Sequence, residues 1–346
     1  MSDHNLRLIS PKLQLGLVMA LMAALCGVAA AGTLEEVKSR GVLRCAVNGA
    51  VPGLSFKDSE GHWSGLDVDF CRAVAAAVLG DKDKVELVPT PSETRFDALR
   101  EGRVDLLSRN TSWTMTRDLT PDLTFVGILY HDGQGFMARR DTGIQSAREL
   151  SGKPICAAGQ SGPENARTYF ARNHMELNLK SFPDTPAAAK AYLDGACVAL
   201  TGDLSQLAAA RAEMPDESAY RILPEMISKE PLSPAVRRGD ARWLDIVRWT
   251  LFTLINAEEA GVDSTNAGEV RAGAQGDDLR LLLDADGETG KLLGLEQGWS
   301  GRIIEQVGNY DEIFERNLGA GSPIQMERGF NALWRDGGLL YVPPTR

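Results

Sequence analysis

The side chains best suited to ligand binding follow a short predicted strand, Val104–Leu107. Residues 108–118 combine Asn, Ser and Thr side chains with Arg117, which stands seven residues beyond Asn110. A guanidinium can hold a carboxylate through two parallel charge-assisted hydrogen bonds. The pattern therefore predicts a carboxylate site at Arg117, and its alternative is a solvated loop arginine that caps a helix.

An acid occupies the equivalent place in the second half of the chain. Asp203 follows the apolar run Val198–Thr201, and its carboxylate could hold an ammonium group. Its alternative role is the N-cap of a helix over Leu204–Arg211, a common position for aspartate. The two roles are compatible.

A third candidate is the turn at residues 159–164, GQSGPE, between a predicted strand and a predicted helix. A helix start offers free N–H groups and the positive end of the helix dipole to an anion. The alternative is a plain turn with Pro163 at the first helical position. A nucleophile elbow would need glycine in place of Pro163 and a histidine partner, so that interpretation fails.

The elements that must position these side chains alternate between strands and helices. Strands are predicted over 42–47, 85–88 and 104–107, with a helix over 67–79 and another that begins over 95–100. The pattern restarts near residue 152, with strands over 155–158 and 198–201. Alternation of this kind predicts an α/β protein of two lobes, each with a parallel sheet covered on both faces.

The lobes are predicted to share the chain unequally. Lobe 1 takes residues 33–137 and 233–346, the latter with a helical C-terminal extension, and lobe 2 takes 138–232. The connecting stretches Gly133–Phe136 and Pro231–Pro234 are short and apolar, unlike flexible linkers. We expect them to be the crossing strands of a hinge.

Charge and the N-terminus limit the function classes. The chain of 346 residues has a net charge of −10 and no basic run, which argues against nucleic-acid binding. Residues 1–31 have the form of a signal peptide, with basic Arg7 and Lys12 before the apolar run Leu13–Val28. We expect cleavage of these residues and a periplasmic location. The alternative is a membrane anchor, but the apolar run is short for a membrane-spanning helix.

Four cysteines remain beyond the predicted signal peptide. An even number in an exported chain suggests two disulfides, and four cysteines allow three pairings. None belongs to a CxxC pair, and the histidines are scattered, so neither a metal site nor a cofactor is predicted. The cysteines are Cys45, Cys71, Cys156 and Cys197.

Several stretches of the sequence are characteristic of one family. They include GLDVDFCRAVAAAV (65–78), LSRNTSWTMTRD (107–118), SKEPLSPAVRRGD (228–240), QVGNYDEIFERN (306–317) and GFNALW (329–334). Through them the sequence resembles the periplasmic binding proteins of general L-amino acid ABC transporters. The resemblance covers the chain from residue 32 to its last residue. It implies a bilobed venus-flytrap fold, broad L-amino-acid binding and delivery to the permease subunits of an ABC transporter. We expect a monomer.

The resemblance also implies roles for single residues. Arg117 would take the α-carboxylate of the ligand, and Asp203 would take its α-ammonium group. The further contacts that the resemblance implies are Asn110, Ser112, Ser161 and Gly162.

Two further positions bear on ligand choice. Arg95 stands where acidic-amino-acid binders of this fold place an arginine that contacts the ligand side chain, and Asn48 stands where basic-amino-acid binders place an acid. The chain departs from the family pattern at Gly162, which lacks an expected hydroxyl, and at Val51, which replaces a stacking aromatic. We therefore expect a broad range of amino-acid ligands, with polar and acidic ones favoured. The alternative for Arg95 is that it points outward and pairs with an acid of its own helix.

The disulfide pairing and the absence of catalysis are two further expectations for this protein. Pairing within each lobe, Cys45–Cys71 and Cys156–Cys197, would leave the lobes free to close, whereas a bridge between lobes would fasten them. The alternatives to a transport receptor are an exported enzyme on the same fold, such as a dehydratase, or a chemosensory receptor. Because an enzyme needs an acid–base pair near its ligand and only Asp203 is available, we expect no enzymatic activity.

Overall fold

The computed structural model describes residues 32–159, 161–273 and 276–346. The predicted signal peptide lies outside these residues. Within them, no helix is both long and apolar enough to cross a membrane.

The first part of the described chain contains helices α1 to α4 and strands β1 to β8. Their bounds are α1 Thr33–Arg40, β1 Leu43–Val47, β2 Ala50–Val51, β3 Ser55–Lys57, β4 Trp63–Ser64, α2 Leu66–Leu79, β5 Val85–Pro89, α3 Arg95–Arg100, β6 Leu106–Leu107, α4 Met115–Asp118, β7 Leu123–Phe125 and β8 Tyr130–Asp132. Helix α2 is rich in Ala and Val and almost wholly buried. It ends at Gly80, whose φ of 73° places it in the left-handed region that glycine adopts without strain.

The second part forms the other lobe and returns through a crossing strand. Its elements are β9 Gln134–Arg139, β10 Pro154–Ala158, α5 Ser161–Arg172, β11 Asn178–Phe182, α6 Thr185–Leu193, β12 Ala199–Asp203, α7 Leu204–Ala212, β13 Tyr220–Ile222 and β14 Glu230–Leu232. Strand β14 pairs antiparallel with β8, so the two crossing strands lie side by side between the lobes.

The last part completes the first sheet and adds a helical extension. Its elements are β15 Ala235–Arg237, α8 Ala241–Glu259, α9 Ala267–Gly273, α10 Asp277–Leu282, α11 Glu288–Leu293, α12 Trp299–Val307 and α13 Tyr310–Asn317. Helices α8, α12 and α13 all pack against α2, and their apolar faces share one hydrophobic core with β1. Trp243 of α8 is fully buried there and donates its indole N–H to Asp105 O at 2.9 Å.

Each lobe has a five-stranded sheet. The orders are β5–β1–β6–β15–β7 and β11–β10–β12–β9–β13. In each sheet the first three strands are parallel, but β15 and β9 run antiparallel to their neighbours. The expectation of wholly parallel sheets is therefore wrong, because the chain re-enters each sheet directly from the hinge, without a helical crossover.

The hinge and the lobe boundary also differ from expectation. Residues 134–136, predicted as a crossing strand, belong to β9 and pair with β12 in the second sheet. The crossing strand is β8, four residues earlier. A lobe boundary at residue 137 would divide β9, whereas the boundary at 232 falls at the end of β14.

Both disulfides lie within one lobe each. Cys45–Cys71 joins β1 to α2, and Cys156–Cys197 joins β10 to the residues just before β12. This is the pairing that leaves the two lobes free to move relative to each other.

Candidate functional site

A cavity of about 250 Å³ lies between the lobes. It is lined by the ends of strands and the loops that follow them in both sheets, the usual location of small-molecule sites in α/β proteins. All eight residues predicted to contact the ligand line it. They are Asn48, Arg95, Asn110, Ser112 and Arg117 from the first lobe, and Ser161, Gly162 and Asp203 from the second.

The loop after β6 is held by a buried carboxylate. Asp67, at the start of α2, accepts hydrogen bonds from Ser108 Oγ at 2.7 Å and from Asn110 N at 2.8 Å. Burial raises the pKa of Asp67 to about 6, although both hydrogen bonds act in the opposite direction. These bonds fix Asn110 at a φ of 37°, and its Oδ1 accepts from Asn48 Nδ2 at 3.2 Å. Asn48 and Asn110 thus form one polar pair on the cavity wall.

Three arginines of the first lobe converge on the cavity: Arg95, Arg109 and Arg117. Arg95 and Arg109 are only 8% and 6% exposed, and Arg117 is half-buried. Among the described residues, no carboxylate oxygen lies within 4.0 Å of any of the three guanidinium groups. The buried Nε of Arg95 also lacks a hydrogen-bond partner in the described chain. Buried charges are normally paired, so the charge of this cluster is chemically suited to an anion.

The pKa values report the same imbalance of charge. Burial, followed by repulsion from Arg117 and Arg109, lowers the pKa of Arg95 to about 9. Burial also lowers the pKa of Arg109 and of Arg117. All three arginines stay charged near neutral pH, and a bound anion would relieve their mutual repulsion.

The outward alternative for Arg95 is wrong. Its guanidinium lies 4.8 Å from the centre of the Phe96 ring and faces inward. The two acids of its own helix region have other partners, because Asp97 pairs with Arg100 and Glu101 pairs with Arg103. The loop alternative for Arg117 also fails in part, since Thr114 caps α4 and Arg117 NH1 donates to Ser112 O at 2.9 Å.

Asp203 faces the arginines from the second lobe. It holds the N-cap position of α7, but none of the described N–H groups of that helix donates to its carboxylate. Instead, Gln206 Nε2 donates to Oδ2 at 2.8 Å, and Thr185 Oγ1 donates to Gln206 Oε1 at 2.9 Å. The Asp203 carboxylate is therefore oriented toward the cavity by α7 and the start of α6.

Burial raises the pKa of Asp203 well above its usual range, and the nearby acids Asp132 and Glu230 raise it further. Gln206 and Arg117 act in the opposite direction but do not offset the burial. A cation beside the carboxylate would favour its ionised form. The second-lobe wall of the cavity is thus chemically suited to a positive group.

Glu230 engages the Ser112 hydroxyl. Ser112 Oγ donates to Glu230 Oε2, while Asn165 Nδ2 and Ser228 Oγ donate to Oε1 at 2.8 and 2.7 Å. A serine has one hydroxyl proton and two lone pairs. With the proton directed to Glu230, Ser112 can offer the cavity only acceptor lone pairs, which suits a ligand N–H.

The turn at residues 161–164 is a helix start. Helix α5 begins at Ser161, so Pro163 is its third residue and not its first. Gly162 O accepts from Gln134 Nε2 at 2.9 Å. A Cβ added at Gly162 would find its nearest described neighbour, that same Nε2, at 4.0 Å. The space that a side chain at position 162 would occupy is therefore open, and no other described part of the backbone approaches Gly162 closely there.

Comparison with known proteins identifies the family. The model of the bacterial extracellular solute-binding proteins, family 3, matches residues 43–261. The chain belongs to this family.

Two curated relatives match almost the whole chain. The general L-amino acid-binding periplasmic protein AapJ of Rhizobium johnstonii is 45% identical over 94% of this chain and 96% of its own length. The glutamate/glutamine/aspartate/asparagine-binding protein BztA of Rhodobacter capsulatus is 45% identical over 95% of this chain and 97% of its own. A solved ABC transporter periplasmic binding protein from Brucella ovis, with glutathione bound, is 47% identical with a TM-score of 0.88. That match covers 91% of this chain and 100% of the other.

Sequence reasoning missed several residues of this family 3 protein. Arg109, Gln206 and Thr185 line the cavity but were not singled out. Arg109 adjoins Asn110, so the same post-strand segment contained the signal. Gln206 lies three residues after Asp203 on the first turn of α7, a spacing at which side chains commonly meet. The contact with Thr185 joins two separate helix starts and has no local signal.

Proposed function

We propose that this family 3 protein captures free L-amino acids outside the cytoplasm and delivers them to the permease subunits of an ABC transporter. The observation that carries the proposal is the separation of charge across one cavity. Three arginines without a carboxylate partner in the described chain face Asp203, whose pKa is raised by burial. An α-amino acid is a zwitterion that presents an anion and a cation a few bonds apart, and so matches both walls.

The α-carboxylate binds at Arg117 and the α-ammonium group at Asp203. Arg117 belongs to the first lobe and Asp203 to the second, so a ligand that uses both holds the lobes together. Ser112 supports the ammonium group, because its hydroxyl proton is directed to Glu230 and its lone pairs remain available.

The ligand side chain lies near Arg95 and Arg109. These two buried arginines favour a carboxylate or an amide oxygen, which are the side-chain groups of Glu, Asp, Gln and Asn. A lysine or arginine side chain would meet like charge there, and Asn48 supplies no acid to offset it. We therefore propose breadth with a preference for polar and acidic ligands, in agreement with the ligands that the name of BztA gives.

A γ-glutamyl peptide is the second candidate ligand. The Brucella ovis relative was solved with glutathione, whose γ-glutamyl end carries the same α-ammonium and α-carboxylate groups as a free amino acid. Its glycine carboxylate would provide the distal anion that Arg95 and Arg109 favour. The open space at Gly162 is compatible with the larger ligand.

The proposal includes a periplasmic location after signal-peptide cleavage, a monomeric state and no enzymatic activity. A hinge of two crossing strands and disulfides within single lobes suit a receptor that opens and closes.

Thermal-shift assays across the proteinogenic L-amino acids and glutathione test the proposal. Ligands that bind only the native state raise the melting temperature in proportion to log concentration. We expect glutamate or glutamine to give the largest shifts among the amino acids. If none of the amino acids or glutathione raised the melting temperature, the proposed function would be contradicted. If glutathione alone raised it, the γ-glutamyl peptide would be the favoured ligand.

A further inference from the structure

The crossing strand β8 is bound along its outer edge by the C-terminal extension. His131 N donates to Asn331 Oδ1 at 2.7 Å, and Asn331 Nδ2 donates to His131 O at 3.1 Å. One buried amide side chain thus satisfies both backbone groups of a hinge residue, as a neighbouring strand would. These residues are 200 positions apart, and Asn331 lies beyond the part of the chain that the family model matches.

The pairing of β8 with β14 explains why the backbone N–H and C=O groups of His131 are free to bond to Asn331. His131 stands opposite Pro231 in the β8–β14 ladder, and proline has no N–H to donate. The backbone groups of His131 therefore point away from β14, toward the extension. On the other edge, Pro231 O accepts from Trp113 N at 2.8 Å and Ser233 N donates to Thr111 O at 2.9 Å. The loop that contains Ser112 and the C-terminal extension thus flank the same two crossing strands.

Asn331 is itself held in place. Arg328 Nε donates to Asn331 O at 2.9 Å, and the Arg328 guanidinium pairs with Glu258 at 2.9 Å and with Asp311. The same guanidinium lies 4.9 Å from the centre of the Phe314 ring. These contacts fasten residues 328–331 to helices α8 and α13 of the first lobe.

A second contact supports this grip on the hinge. Tyr310, fully buried at the start of α13, donates its hydroxyl to Leu129 O at 2.7 Å, one residue before β8. The extension therefore fixes residues 129–131 to the first lobe, where the chain must change its backbone angles for the lobes to separate.

We propose that residues 328–331 form a hinge clamp, which limits how far the second lobe opens in the absence of ligand. Asn331 is a positioning residue in this proposal, because it does not line the cavity and acts only through β8. A ligand bound by both lobes needs the closed geometry, and the apparent Kd rises as the population of that geometry falls. Loss of the clamp therefore weakens binding without removing any ligand contact.

Small-angle scattering and calorimetry on Asn331→Ala test the clamp. We expect a larger radius of gyration in the ligand-free variant than in the wild type, and an affinity for glutamate about 2- to 30-fold weaker. Asn256→Ala is the matched control, since the Asn256 amide donates to Pro343 O at 3.0 Å within the extension, away from the hinge. It should leave both measurements unchanged.

A drop in the melting temperature of Asn331→Ala, with unchanged scattering and unchanged affinity, would assign Asn331 a merely structural role and overturn the proposal. If Asn331→Ala does not fold, Tyr310→Phe removes only the hydroxyl that donates to Leu129 O, and it should show a smaller change in the same direction. The scattering experiment needs no ligand, so it judges the clamp even if the protein fails to bind amino acids.

Discussion

Replacing Arg117 with alanine should abolish tight amino-acid binding and leave the fold intact. Arg117 provides the first-lobe contact for the α-carboxylate, which every amino-acid ligand shares. In the ligand-free protein its contacts include one hydrogen bond to Ser112 O at 2.9 Å, and no described carboxylate lies within ion-pair distance. The variant also removes one of the two positive charges that depress the pKa of Arg95, so the stability of the ligand-free protein should change little.

The size of the loss follows from the surroundings of Arg117. Removing one partner of a buried charge pair costs about 2–5 kcal/mol. Arg117 is only half-buried, and Arg95 and Arg109 remain to attract an anion. We therefore expect a value toward the lower part of that range, about 3 kcal/mol, which raises Kd roughly a hundredfold.

Isothermal titration calorimetry with glutamate measures this loss. Arg117→Lys should recover part of the affinity, because it keeps the charge but loses the paired hydrogen bonds of the guanidinium. Arg100→Ala is the control: this exposed first-lobe arginine pairs with Asp97 and lies outside the cavity. A Kd for Arg117→Ala within about threefold of the wild type would refute the assigned role.

Three more predictions concern the charges and the disulfides. In calorimetric titrations, Arg95→Ala should weaken the binding of glutamate and aspartate more than the binding of alanine. Equal losses of affinity would contradict a contact between Arg95 and the ligand side chain. Because its pKa is raised, Asp203 in the ligand-free protein stays protonated at pH values above 3.8, the usual pKa of the group. An ammonium ligand favours the ionised carboxylate. Affinity should therefore increase as the pH rises through the raised pKa. Titrations across a pH series, each in two buffers of different ionisation enthalpy, should detect proton release on binding; no release in the wild type at any pH of the series would contradict this linkage. Reducing the disulfides, which close separations of 26 and 41 residues, should lower the melting temperature by removing about 3–4 kcal/mol each, and an unchanged melting temperature would be evidence against their formation.

The sequence predicted the central elements of both lobes because their signals are local. The helix predicted over 67–79 is observed at Leu66–Leu79, and a helix predicted to begin over 95–100 is observed at Arg95–Arg100. In the first case a periodic apolar face meets a clear stop at Gly80. The antiparallel strands β9 and β15 were missed as members of the sheets, since short apolar runs after a hinge do not specify which sheet they join.

The residues of the candidate site could be predicted from the sequence, but the groups that surround them could not. The positions of Arg117 and Asp203 follow from their places after β6 and in the last position of β12. The absence of an ion-pair partner for three arginines, judged over the described residues, depends on where every acid of the chain lies, and sequence spacing does not give this. The contact between His131 and Asn331 is equally non-local: Asn331 lies in the stretch GFNALW (329–334) that carries the family resemblance, but nothing in that stretch points to His131.

We propose that one cavity binds amino acids through separated charges and excludes cationic side chains. A competition titration measures this selectivity: the wild-type protein is loaded with glutamate and then titrated with arginine or glutamine. We expect glutamine to displace glutamate measurably and arginine not to do so, because Arg95 and Arg109 repel a guanidinium side chain. Displacement of glutamate by arginine at comparable concentrations would contradict it.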